Sequence, residues 1–214
     1  MTDVKDKMLF IDPAVNMKPP PFAHDPLKAL VVPRPIGWIS SISAAGVVNL
    51  APFSYFNLVS GDPPCVIYCP NGDHPDGGVK DSLLNVQETG EFVCNLATYA
   101  LKEQMVLTSK HLPRTVDEMA LAGLTPVTSV KVKPPRVGES PAAFECVFRQ
   151  TIELPPGRGS EHSYIILGEI VGIHVSEEIV VDGKINVRRM RPVARLGYDE
   201  YAVIDDVFRM PRLD

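Results

Sequence analysis

No apolar run in the 214-residue chain approaches the roughly 20 residues needed to cross a bilayer. The N-terminus, Met1 to Lys7, alternates charge and lacks the apolar centre of a secretory signal, so a cytoplasmic protein is expected. An excess of positive charge is also missing. The 21 Lys and Arg residues are outnumbered by 26 Asp and Glu, and the formal net charge of −5 argues against a nucleic-acid binder, which shows a basic surface. No G-x-G-x-x-G follows a strand-like run, which excludes a Rossmann dinucleotide site. No Cys-His-Asp constellation suggests nucleophilic catalysis. Cysteine is scarce at four residues, Cys65, Cys69, Cys94 and Cys146, all in apolar runs that read as buried free thiols. Cys65 and Cys69 lie four apart with His74 soon after, yet a structural zinc needs about four converging ligands and nothing else has that spacing. The core reading is preferred and no metal is expected.

What is present is ordinary in bulk. Hydrophobic residues make up 45% and charged residues 22%, the balance of a globular protein whose core needs neither disulfide nor metal. One domain is expected over residues 27–200, with an N-terminal arm at 1–26 and a C-terminal tail at 201–214. The 21 prolines cluster at Pro19–Pro21, Pro63–Pro64, Pro134–Pro135 and Pro155–Pro156, where they mark turns or strand edges. No internal repeat stands out.

The local pattern is mainly strands. Gly37–Ser43 and Val48–Phe56 straddle the hairpin-length loop Ala44-Ala45-Gly46. Cys65–Cys69, Glu91–Leu96, Phe144–Glu153, Ser163–Val175 and Lys184–Val187 have strand character, as has a short run at Met8–Ile11 in the arm. Val79, Leu83 and Val86 recur at the helical period, predicting a helix over Lys80–Thr89 that stops at Gly90. Further helices are predicted at Tyr99–Thr108 and Val116–Ala122, the latter closed by Gly123. Gly157–Ser160 reads as a loop between strands. The class is α+β, mainly β: a β-barrel with peripheral helices.

The stretch from Pro33 to Pro64 carries most of the functional information. Its first strand ends in the hydroxyls of Ser40, Ser41 and Ser43, and Asn49–Asn57 mixes aromatic with small polar residues. That mixture suits a wall contacting a flat, polar-edged ring and a phosphate tail. Arg34-Pro35-Ile36-Gly37-Trp38-Ile39-Ser40-Ser41, Asn49 to Asn57, Asp62-Pro63-Pro64, Lys80-Asp81-Ser82 and Gly90-Glu91-Phe92-Val93-Cys94-Asn95 together resemble the flavin reductase-like, FMN-binding split-barrel family. Phe144-Glu145-Cys146, Gly168-Glu169-Ile170-Val171 and Arg195-Leu196-Gly197 continue the likeness, which covers about residues 30–200. The more aromatic Phe53-Ser54-Tyr55 is similar to the flavoprotein oxygenase-like branch, and suits a tightly held FMN better than an exchanging one. The resemblance implies a split β-barrel, a homodimer and FMN near the subunit interface.

A flavin phosphate needs hydroxyls, backbone N–H groups and a cation. Ser40 and Ser41 fit the hydroxyl role. Lys80, Asp81 and Ser82, at a helix start, either serve the phosphate or form a plain N-cap. Ala51, Pro52, Phe53, Ser54 and Tyr55 form the proposed ring and ribityl wall, with Asn49 and Asn57 as amide partners or turn residues. Trp38 either stacks near the flavin or fills the barrel. His162 is the candidate catalytic residue, placed to orient NAD(P)H, or else it is a solvated loop residue. Of the basic cluster Arg188, Arg189, Arg191 and Arg195, the last is the candidate cofactor contact. The function implied is an FMN-dependent oxidoreductase that takes hydride from NAD(P)H and passes electrons to a second acceptor. The alternative is an FMN electron carrier that works with a redox partner protein and has no NAD(P)H activity of its own.

Overall fold

The computed structural model of the chain describes residues 8–156 and 162–211, so the expected loop at 157–160 lies outside the described residues. A single-turn helix, Leu27–Leu30 (α1), precedes Arg34–Pro35 (β1) and Gly37–Ile42 (β2). Val48–Phe53 (β3), Phe56–Gly61 (β4) and Pro64–Tyr68 (β5) come next, then helix Asp81–Thr89 (α2) and Glu91–Leu96 (β6). A 3-10 turn at Tyr99–Leu101 leads into Lys102–Leu107 (α3), followed by Glu118–Leu121 (α4) and the short strands Pro126–Val127 (β7) and Arg136–Val137 (β8). Two long strands, Ala142–Glu153 (β9) and Tyr164–Val175 (β10), precede Val180–Val181 (β11) and Lys184–Ile185 (β12). Last come the helical turn Val187–Met190 (α5), Val193–Arg195 (β13) and Tyr201–Val203 (β14).

Local chemistry sets most of these boundaries. Gly90 stops α2 in the left-handed region, φ 76°, where a residue without Cβ is favoured. The Asp117 carboxylate caps α4 by accepting from Ala120 N at 2.9 Å, so this helix starts later than its apolar pattern suggests. Asn186 caps α5 in the same way, which ends the strand expected over Lys184–Val187 at Ile185. No strand forms at Met8–Ile11, where Met8, Leu9 and Phe10 are exposed. Residues 201–203, expected in a tail, form β14 instead and pair with β13.

The run expected as one strand over Val48–Phe56 breaks at Ser54 and Tyr55, and that break organises the molecule. Seven antiparallel strands pair in the order β3-β2-β6-β9-β10-β5-β4, which puts β3 and β4 at opposite edges. Yet only two residues separate Phe53 from Phe56. Such a link spans about 11 Å at most, so the sheet must curl until its edges meet. Phe56 of β4 reaches across to β2, where its ring lies 2.5 Å from the position a Cβ at Gly37 would take. The result is a barrel with an open seam at residues 53–56. A second sheet, β1-β13-β14, lies beside it, with Arg34 opposite Arg195 and Arg195 opposite Tyr201.

Both faces of β2 are covered, which explains its unbroken burial. Trp38 packs with Leu50, Leu101, Met105 and Met119 on one side. Ile39 packs with Phe92, Ile166 and the α2 residues Leu83 and Val86 on the other. Strand alternation then sends the two serine hydroxyls to opposite faces. Ser40 Oγ donates to Pro135 O at 2.6 Å, and Ser41 Oγ accepts from Asn85 Nδ2 of α2 at 3.1 Å. Both side chains are sealed in the interior.

Candidate functional site

A cleft of about 560 Å³ opens at the seam. One wall is Pro52, Phe53, Ser54 and Tyr55; the others include Cys69 and Asn71 beyond β5, Arg34, Arg195 and Tyr201 from the smaller sheet, and His24 and Lys28 from the N-terminal segment. A smaller compartment of about 100 Å³ adjoins it, since Pro52, Phe53, Lys80 and Ser109 line both. Asn49, Ala51, Asp81, Ser82, His74, Thr108 and Glu118 complete that inner space.

The start of α2 is held against the inner compartment from behind. Tyr68, fully buried between Phe53 and Phe92, donates its hydroxyl to Ser82 O at 2.9 Å. Burial pushes the Tyr68 pKa well up, so it remains a donor. Asp81 is committed to Arg114 and to His74, whose Nε2 lies 3.4 Å away. Because His74 Nδ1 accepts from Asp76 N at 3.1 Å, the ring proton sits on Nε2, which faces Leu112 O at 3.1 Å. Asp81 therefore anchors the helix and is not the cap; the N-cap residue is Lys80, with no side-chain cap bond. The N-cap alternative for the Asp and Ser side chains is not what forms.

Buried polar atoms nearly always find partners, so orphans are informative. Among the described residues five buried side-chain polar atoms have none, and three of them belong to residues lining the two compartments: Ser82 Oγ, Asn71 Oδ1 and Arg34 Nε. Glu118, 5% exposed, sits in the inner compartment with its Oε2 accepting from Leu50 N at 3.1 Å. Burial raises its pKa to about 7, with the carboxylates of Asp81 and Asp117 adding and the Leu50 N–H opposing.

Ten of the residues proposed from the sequence line these compartments: Asn49, Ala51, Pro52, Phe53, Ser54, Tyr55, Lys80, Asp81, Ser82 and Arg195. Trp38, Ser40, Ser41, Asn57 and His162 do not. Trp38 is a core residue whose Nε1 donates to Thr108 Oγ1 at 2.9 Å. Ser40 and Ser41 are spent on internal bonds, and Asn57 is exposed on the edge strand β4. His162 lies on the surface, 3.3 Å from Glu153 Oε1 and stacked on Tyr164. Sequence reasoning missed Arg34, Asn71, His74, Glu118 and the N-terminal residues His24 and Lys28. Arg34 stood within the Arg-Pro of the recognised motif; nothing local marked the others.

Arg195 stacks at 4.5 Å over the Tyr201 ring and donates to Tyr201 Oη and Tyr198 O. Cys69 also lines the cleft, half-buried, and burial raises its pKa, so it is a neutral wall residue. Cys65, half-buried on β5, lines neither compartment.

A family model described as the flavin reductase like domain matches residues 29–191. A curated relative, an uncharacterised protein of Aquifex aeolicus, is 40% identical over 174 residues, covering 80% of this chain and 85% of its own length. Among solved structures, nitrilotriacetate monooxygenase component B from Bacillus cereus superposes with a TM-score of 0.84 at 30% identity, covering 95% of this chain and 98% of that one. The 2-nitrobenzoate 2-nitroreductase of Pseudomonas fluorescens gives 0.76 at 28% identity, covering 87% and 88%. The expected fold class, a mainly-β split barrel with peripheral helices, agrees with these likenesses.

Proposed function

The chain belongs to the flavin reductase-like family, and from that premise we propose that it is an FMN-dependent oxidoreductase that draws hydride from NAD(P)H and delivers electrons to a second acceptor. The carrying observation is the set of orphaned polar atoms in the two adjoining compartments beside an aromatic wall, above all Ser82 Oγ next to Lys80 at the start of α2. Those groups suit a phosphate: a hydroxyl, a cation and the positive end of a helix in a confined space. Pro52 to Tyr55 would flank the ring, and the Asn71 amide would meet a polar edge of the ring or chain. FMN, when bound, supplies a carrier that accepts a hydride and passes electrons on. The chain's contribution is to hold it beside a cleft wide enough for a second molecule, because reaction by hydride transfer depends chiefly on positioning. The neighbours named above are a monooxygenase component and a nitroreductase, which supports a redox role.

One observation favours the second reading, an FMN electron carrier served by a partner protein. His162, the candidate for orienting NAD(P)H, is exposed and engaged with Glu153, outside the cleft lining. An anaerobic absorbance spectrum after FMN reconstitution, followed by NADH and then NADPH, separates the two. Bleaching by either nucleotide supports the oxidoreductase. A bound flavin that ignores both favours the carrier, and absence of a bound flavin band refutes the FMN assignment. A homodimer belongs to the same reading, supported by Leu58 and Val59, both at least half exposed on the edge strand β4. No helix among the described residues is long and apolar enough to cross a membrane, in keeping with the cytoplasmic location proposed.

A further inference from the structure

We propose that Lys28, Arg34 and Arg195 form a second anion site in the outer compartment, selecting an aromatic acid as the molecule that meets the flavin; this rests on the flavin reading above.

The argument is one of charge balance. FMN carries one phosphate, and the inner compartment with Lys80 and Ser82 accounts for it. Lys28, Arg34 and Arg195 line only the outer compartment, where Asp25 is the sole carboxylate among the described residues. Arg34 and Arg195 stand directly opposite each other on the antiparallel pair β1 and β13. Like charges in that position are destabilising unless something compensates them. Among the described residues Arg114, Arg149, Arg188 and Arg191 each meet a carboxylate, while Arg136 and Arg189 do not. Among the described residues neither Arg34, Arg195 nor Lys28 forms an ion pair with a carboxylate.

The three are also built into place. Arg34, only 6% exposed, donates to Lys28 O, to Val31 O at 2.6 Å and to Leu196 O at 2.7 Å. It thereby ties the backbone beside Lys28 to the backbone beside Arg195. Its Nε–H remains buried without a partner. A guanidinium at this burial, met by carbonyl dipoles and a ring face but by no carboxylate among the described residues, is a site suited to negative charge. The walls beside it are aromatic: Arg34 lies 5.9 Å from the Tyr55 ring centre, and Tyr198 and Tyr201 face the same space. Flat apolar walls with cations at one end describe a planar ring bearing a carboxylate.

The test titrates benzoate and its neutral counterpart benzamide into FMN-loaded protein, read by calorimetry and by the flavin difference spectrum. Benzoate is expected to bind about tenfold or more tighter than benzamide, as a charge-assisted pair implies. Lys28→Gln, an exposed change that leaves the fold alone, should cut that preference severalfold, with benzamide binding and FMN retention unchanged. Arg195→Gln should cut the preference for benzoate as well, and high salt should weaken benzoate selectively. Equal binding of the two probes, or a preference indifferent to Lys28→Gln, overturns the proposal. Loss of FMN from Lys28→Gln also overturns it, because the flavin's own phosphate would then occupy these cations. A Lys28-dependent preference for NADH over reduced nicotinamide riboside, with none for benzoate, assigns the anion to the donor's pyrophosphate and overturns the aromatic acid. Should the wild type hold no FMN, the proposed function fails by itself, and the same titrations of the apo-protein still decide whether the anion site exists.

Discussion

Replacing Glu118 by Gln should make the protein more stable at pH 8 and leave it little changed at pH 5. The carboxyl is 5% exposed, and its burial lifts its pKa from 4.5 to about 7. Because the folded value is raised, the native state binds more protons than the unfolded chain between those two pH values. Stability must therefore fall as pH rises through that window, with the full loss present above about pH 7. At 1.36 kcal/mol for each tenfold in proton affinity, the loss is about 3 kcal/mol. A glutamine cannot ionise, and its carbonyl can still accept the Leu50 N–H. The difference between variant and wild type isolates this one titration from all others in the chain. Urea unfolding followed by the fluorescence of Trp38, the single buried tryptophan, measures it at both pH values. Parallel pH profiles for the two proteins, or a variant less stable at every pH, would refute the reasoning. A corollary concerns the ligand: at pH 8 the variant should hold FMN more tightly, since an ionised carboxylate no longer shares the inner compartment with a phosphate.

Other perturbations test separate parts of the structure. Changing Lys80 and Ser82 together to Ala should weaken FMN retention by tenfold or more, on the scale of lost charge-assisted hydrogen bonds, without unfolding the protein; unaltered flavin occupancy on gel filtration would remove them from the phosphate site. Trp38→Phe should cost about 1–3 kcal/mol in urea unfolding through lost packing and the lost bond to Thr108, while FMN occupancy stays unchanged. Glu145→Gln should cost about 3 kcal/mol at pH 7, because the fully buried carboxylate accepts from Val130 N, Lys131 N and His174. Burial pushes the Glu145 carboxyl up, but those donors outweigh it and hold the pKa below the ordinary value. Its stabilisation is thus present above the unfolded pKa and lost as pH falls through the folded one, so the gap to the variant should narrow in acid. His162→Ala should leave FMN retention unchanged, which a retained flavin spectrum would verify.

What could be read without a structure was whatever rests on near neighbours in the chain. The helix ending at Gly90, the hairpin around Gly46 and the strand Glu91–Leu96 depend on local periodicity and on residues that tolerate positive φ. The Lys80–Ser82 motif and the Pro52–Tyr55 wall were picked out through the family resemblance, and both runs of contiguous residues line the compartments. The direction of a side chain across a strand was not legible. Ser40 and Ser41 carry phosphate-binding chemistry, but covering both faces of β2 turned their hydroxyls inward. Nor could the break at Ser54 and Tyr55 be foreseen, because an aromatic-rich run looks the same whether it continues a strand or crosses a seam. Pairing order decided that: once β3 and β4 became opposite edges, two residues had to bridge them and the barrel had to curl. The same closure brought the N-terminal segment, β1 and β13 to one cleft. Arg34 and Arg195 are 161 positions apart, and their facing each other is a property of strand register that neither neighbourhood alone contains. Composition and local pattern determined the elements and the flavin-like wall; long-range pairing decided which polar groups remain unsatisfied, and hence where a ligand is to be expected.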